Sequence, residues 1–218
     1  MKTALVFGSS GLVGSHLVRL LNKNSIYEKI KLFVRSTSEI KASKIEIFNT
    51  DFNNLSNHKE DINGDDCFFC IGTTKKNTPD KDEYRRIEYD IPVEIAKIAK
   101  SNSINSFFYV SSGFADPKSS SAYLKNKGQV EEELIKLNFS ILGIMRPSFL
   151  VGNRKEKRPG EEVGIFFFKI FSPLLLGPLK KMRPIQSEKV AKVMIKVANE
   201  NLKKTIFESN EIAELALN

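Results

Sequence analysis

The sequence predicts an α/β fold: a doubly wound parallel sheet with helices on both faces and a small C-terminal lobe. Three observations predict it. Short apolar runs alternate with amphipathic stretches from Lys2 to Met145, the pattern of strands and helices that cover a parallel sheet on both sides. A glycine-punctuated turn joins the first run to the first amphipathic stretch, and Lys2 to Arg35 together match a strand–helix–strand unit of about 30 residues. The chain has 218 residues, enough for one substantial domain with a well-buried core.

Each element has its own signature. Lys2 to Phe7 is short, apolar and ended by a glycine, as a buried parallel strand is. Leu12, Val13, Leu17, Leu20 and Leu21 recur at helical spacing. Strands follow at Ile30 to Arg35, Lys44 to Phe48 and Cys67 to Ile71. Tyr84 to Ser101 is helical, with Ile87, Ile91, Ile95, Ile98 and Ala99 on its apolar stripe. Phe107 to Val110 is the next strand, Tyr123 to Leu137 a helix rich in Lys and Glu, and Ile141 to Met145 a sixth strand. Prolines and glycines break the alternation from Gly152 to Arg183, where a variable lobe of the same single domain is expected. Glu188 to Asn199 reads as a helix packed back on the core, and the end from Ser209 has no distinct pattern.

Composition excludes several classes. The chain is 41% hydrophobic and 28% charged, as globular domains are. No run reaches the roughly 18 apolar residues a membrane helix needs; Lys169, Pro173 and Gly177 interrupt the run that comes nearest, so stable membrane insertion is not expected. No secretory pattern opens the chain, which makes the cytoplasm the default location. The net charge of +8 comes from dispersed lysines with no interleaved aromatics, the pattern of a solvated surface, and no nucleic-acid partner is expected. The two cysteines, Cys67 and Cys70, lie on a predicted strand where residues i and i+3 face opposite sides. With His16 and His58 as the only histidines, no metal is expected.

Two constellations carry chemistry. In GSSGLVG, Gly8 ends the first strand and Gly14 lies in the first helical turn. Glycine permits φ > 0, close approach to a pyrophosphate and tight helix–strand packing, while the helix N-terminus offers free N–H groups. The spacing is G-x-x-G-x-x-G. The second strand ends Phe33-Val34-Arg35-Ser36. No acid stands there for a ribose 2′-hydroxyl, whereas Arg35 suits a 2′-phosphate, so NADP is favoured over NAD. Farther on, Tyr123 and Lys127 share a helix face at i and i+4. An ammonium beside a phenol stabilises the phenolate, and such a tyrosine can exchange a proton with a carbonyl or alcohol oxygen. Ser112, or alternatively Ser111, follows the fifth strand, at the edge where such sheets bind ligands.

The strings GSSGLVGSHL, FFCIGTT, SSGFADPKSSSAYLKNKGQVE and MRPSFLVGNRKEKRPGE resemble those of an atypical short-chain dehydrogenase/reductase with a Rossmann-like fold. Within that group the chain is similar to the Tat-interacting-protein type of NAD(P)-binding, oxidoreductase-like proteins. The resemblance implies that Gly8, Ser10, Gly11, Leu12 and Gly14 cradle the pyrophosphate and that Arg35 and Ser36 face the 2′-phosphate. It further implies that Ile71, Gly72 and Thr73 line the nicotinamide ribose, that Lys127 holds this ribose and tunes Tyr123, and that Pro147 to Leu150 border the nicotinamide. Arg158 would reach the cofactor from the variable lobe. Two positions depart from the pattern: Ser36 stands where a second arginine is common, and Glu88 where the superfamily often has an asparagine that anchors a proton-relay water. The expected function is an NADP-dependent oxidoreductase acting on a small carbonyl or alcohol; the alternative is an NADP(H)-binding regulator or scaffold with little turnover. Monomer and homodimer both fit.

Overall fold

The computed structural model describes residues 1–36, 42–152, 177–200, 202 and 204–217. In chain order the elements are β1 (Lys2–Phe7), α1 (Leu12–Lys23), β2 (Tyr27–Val34), β3 (Ile45–Asn49), a 3₁₀ turn (Leu55–His58), β4 (Asp66–Phe69), α2 (Lys81–Arg85), a π turn (Arg86–Asp90), α3 (Ile91–Ser101), β5 (Ser106–Val110) and α4 (Ala122–Lys136). Then come β6 (Ile141–Arg146), β7 (Leu150–Val151), a 3₁₀ stretch (Gly177–Met182), β8 (Ile185–Gln186), α5 (Ser187–Glu200), β9 (Ile206–Glu208) and α6 (Ser209–Leu215).

Seven strands form one parallel sheet in the order β3-β2-β1-β4-β5-β6-β9. From β1 the chain steps outward through β2 to β3, then crosses back to β4 and runs outward the other way. The order therefore reverses between β1 and β4, which opens a crevice at their carboxyl ends. Successive side chains of a strand face opposite sides, and β1 shows what that does here. Ala4 and Val6 pack with Leu17 and Leu21 of α1 and Val190 and Met194 of α5. Leu5 and Phe7 pack with Ile91 and Ile95 of α3 and Val130 and Leu134 of α4. Two faces, each covered by helices, follow from this alternation. At the carboxyl edge the strand register lines up Phe48, Phe33, Phe7, Phe69 and Tyr109 across five strands. Neighbouring ring centroids are 5.1, 4.5, 6.2 and 6.0 Å apart, an aromatic floor beneath the site.

The sequence-based boundaries shift in instructive places. β2 starts at Tyr27, three residues before the predicted strand, because the Tyr27 hydroxyl is buried and donates to Asp66 Oδ2 at 2.7 Å. The predicted helix from Tyr84 begins at Lys81, where the Asp80 side chain accepts from the N–H groups of Asp82 and Glu83, and it is interrupted by the π turn. β9 has three residues, too short to show a period, and α6 follows it with a capping box between Glu208 and Glu211. Cys67 lies in one core and Cys70 against the other; both are free. Most of the lobe predicted over residues 152–183 lies outside the described residues, as does Arg158.

Candidate active site

The glycine turn divides its work among its glycines. Gly8 has φ +88°, and a Cβ there would lie 2.8 Å from the backbone of Cys70 and Ile71. It both turns the chain and lets the end of β4 come close. A Cβ at Gly14 would lie 2.1 Å from the Gly8 oxygen, so the third glycine lets α1 seat on β1. Gly11 caps α1 without a side chain, and its N–H donates to Gly8 O at 3.1 Å. No side chain caps α1 and no acid occupies its first turn. Its leading N–H groups and positive dipole end therefore suit an anion. Ser10 is exposed beside them and Leu12 half-buried. The cradle that added methyl groups would fill, together with the uncapped helix end, fits a dinucleotide pyrophosphate.

Arg35 and Ser36 stand exposed just past β2 on the same edge, one strand away from the turn. The Thr50 N–H donates to Val34 O at 2.7 Å and brings the chain after β3 alongside them. On the other side, the segment after β6 folds over the edge. Gly113 N–H donates to Pro147 O at 2.7 Å, and Leu150 pairs with Ile185. A Cβ at Gly152 would lie 2.8 Å from Leu12 Cδ1, so the end of β7 rests on the start of α1.

Lys127 is the centre of the third group. Its side chain is 4% exposed. The Nζ donates to Val110 O at 3.2 Å, lies 3.1 Å from Glu88 Oε2, and sits over the rings of Tyr109 and Tyr123 at 4.8 and 5.9 Å from their centroids. Glu88 comes from the π turn and is itself 1% exposed. Its Oε1 accepts from the Thr73 N–H at 2.5 Å, and the Thr73 hydroxyl is 2.8 Å from that of Thr78. Burial opposes the lysine charge, but the Glu88 carboxylate, with Tyr109 and Tyr123, outweighs it and holds the Lys127 pKa well above the ordinary lysine value. Burial pushes the Cys70 thiol up to about 12, with Lys127 pulling the other way. That cysteine is a poor nucleophile at neutral pH.

The two serines after β5 part company. Ser111 is buried and donates to Glu131 Oε1, and Glu131 in turn is gripped by Arg146 of β6. Among the described residues, the half-buried Ser112 hydroxyl reaches only its neighbour's carbonyl, Gly113 O, at 3.3 Å. Phe114, two residues on, is 49% exposed with φ +65°.

The structure thus brings Gly8, Cys70 and Ile71 together, Leu12 with Gly152, and Thr73 with Glu88, Lys127 and Tyr123, all at the carboxyl edge beside the crevice. Sequence reasoning singled out Glu88 without seeing that it grips Lys127. A partial signal was there: in the sequence it falls at helical spacing from Ile91 and Ile95, an acid beside an apolar stripe, although the π turn shifts the phase between them. Tyr109 and Gly152 were also missed as parts of the site.

A family model described as NAD(P)H-binding matches residues 8–201. Among curated relatives, protein FMP52-1, mitochondrial, of Scheffersomyces stipitis is 30% identical over 98% of this chain and 98% of its own length. Protein HTATIP2 of Rattus norvegicus is 31% identical over 77% of this chain and 70% of its own. Among solved structures, the Bordetella bronchiseptica enzyme WbmH in complex with NAD+ superimposes with a TM-score of 0.73 at 15% identity, covering 99% of this chain and 79% of that one. One expectation is overturned: the cytoplasmic location does not hold, because the fungal relatives are named mitochondrial. That default rested on the lack of a secretory pattern, which carries no information about that compartment. No described helix is long and apolar enough to cross a membrane. With two thirds of its length and more matched by the model and by these relatives, the chain belongs to the NAD(P)H-binding family, in its atypical short-chain dehydrogenase/reductase branch with HTATIP2 and FMP52.

Proposed function

We propose that this chain is an NADP(H)-dependent oxidoreductase that interconverts a small carbonyl and its alcohol. The observation that carries the reading is the Lys127 ammonium, buried and held charged at the carboxyl edge of the sheet with the Tyr123 ring 5.9 Å away. When bound, the cofactor supplies or accepts the hydride. Gly8, Gly11, Gly14 and the first N–H groups of α1 hold the pyrophosphate, with Ser10 and Leu12 at its side. Arg35, with Ser36 beside it, meets the 2′-phosphate and selects NADP. Ile71, Gly72, Thr73 and Leu150 border the nicotinamide end, and Lys127 holds its ribose. In reduction the Tyr123 hydroxyl gives its proton to the carbonyl oxygen, which becomes the alcohol O–H; in oxidation it takes that proton back. The Lys127 charge stabilises the tyrosinate left behind. The Ser112 hydroxyl, not tied into the core, orients the substrate oxygen.

The test is a titration of NADPH and NADH by fluorescence, followed by an absorbance screen of aldehydes and ketones. Tyr123→Phe is expected to keep NADPH binding and lose turnover by about 10²- to 10⁴-fold. Arg35→Ala is expected to weaken NADPH by about tenfold or more and leave NADH unchanged. Tight NADPH binding with no Tyr123-dependent turnover would favour the regulator reading instead.

A further inference from the structure

We infer that Glu88 is a positioning residue, a two-handed clamp that fixes the Lys127 ammonium to the loop after β4. This rests on the reading of Lys127 as the residue that holds the cofactor ribose. One carboxylate oxygen takes the Thr73 N–H at 2.5 Å and the other lies 3.1 Å from Lys127 Nζ. A single side chain thereby sets the distance between the β4 loop, expected to line the ribose, and the helix that carries Tyr123.

The backbone is shaped to deliver it. The π turn Arg86–Asp90 inserts an extra residue into the helix that runs from Lys81 to Ser101. One extra residue rotates the following helical face by about 100°. Ile91, Ile95 and Ala99 can then face the core while Glu88 faces the site. Isolated π turns of this kind concentrate at functional sites. Arg85, just before the turn, reaches across to Asn126 and Gln129 of α4 at 3.4 and 3.2 Å, tying the same two elements on the outside.

The clamp also answers an electrostatic need. A lysine this deeply buried would shed its proton in an apolar site. The groups that face Lys127 are Glu88 from the π turn, Tyr109 from β5, Tyr123 from its own helix and Cys70 from the end of β4. Of these only Glu88 is a carboxylate. The ammonium that the proposed chemistry requires therefore leans first on this one carboxylate, with Tyr109 and Tyr123 behind it, and Glu88 does by charge what an asparagine cannot.

Glu88→Gln separates the two hands, because the amide oxygen still accepts from Thr73 while the charge is gone. The full-length protein is labelled with ¹³C-lysine, the Lys127 resonance is assigned with Lys127→Arg, and its titration is followed from neutral to alkaline pH. In Glu88→Gln the Lys127 midpoint is expected to fall by about one pH unit or more. NADPH affinity and the alkaline limb of turnover are expected to move down with it, while acid-side binding stays near wild type. Glu88→Asp, which keeps the charge on a shorter arm, is expected to restore most of the midpoint, and Glu88→Asn, which also removes the charge, serves if the glutamine variant is too unstable to study. An unchanged midpoint in the uncharged variant overturns the clamp. If the wild-type chain binds no NADPH, the cofactor reading fails while the Lys127 titration still decides the clamp.

Discussion

Helix α4 carries two buried charges one turn apart, Lys127 and Glu131, and the protein treats them in opposite ways. Glu131 is saturated. Arg146 gives it Nε at 3.0 and 3.2 Å and Nη2 besides, Ser111 adds a hydroxyl, and Glu208 shares the guanidinium at 3.3 Å. Lys127 is held mainly by charge. It meets the Val110 carbonyl and the Tyr109 hydroxyl, and Glu88 Oε2 faces it as a charge at 3.1 Å. A satisfied buried network stitches α4 to β5, β6 and β9 and serves the fold. The Lys127 group instead gathers one cation, one carboxylate and two tyrosines at the crevice, where the proposed cofactor site lies.

That contrast can be broken at several points. Arg146→Ala leaves Glu131 buried and unpaired, and should lower the unfolding free energy by about 3–5 kcal/mol in urea denaturation. A loss in the range of an exposed ion pair, about 1 kcal/mol or less, would show that the network is not structural. The two serines give a finer comparison. Ser111→Ala strips a hydroxyl from the buried network and should cost about 1–3 kcal/mol of stability. Ser112→Ala should change stability by less than about 0.5 kcal/mol while slowing turnover. If instead Ser111→Ala stopped turnover without loss of stability, the assignment of the two serines would reverse.

The sequence showed the sheet and the glycine turn because period and punctuation are local signals. Lys2 to Phe7 reads as a strand from its own residues, and Gly8 and Gly14 fall where a turn and a close contact need them. The Tyr123–Lys127 face was visible for the same reason: i and i+4 are neighbours on any helix. What stayed hidden depends on tertiary pairing. The π turn at Arg86–Asp90 breaks the regular phase that a helical reading assumes. β9 exists because β6 has an open edge to pair with, and its three residues show nothing of this alone. Ser111 and Ser112 differ by one position, and only the side of β5 from which α4 approaches decides which hydroxyl is buried. The aromatic floor needs the register of five strands, which no single strand encodes.

The central claim, that the Glu88–Lys127 pair serves the cofactor site and not the fold, is tested most directly by NADPH titration of Glu88→Leu/Lys127→Met. Replacing a buried ion pair with apolar side chains of similar volume is commonly neutral or stabilising, so this variant should fold, with a loss of no more than about 1–3 kcal/mol for the Thr73 N–H that loses its acceptor. Its NADPH affinity is expected to fall by about tenfold or more, the equivalent of about 1.4 kcal/mol. A folded double variant that binds NADPH as tightly as the wild type would contradict the account.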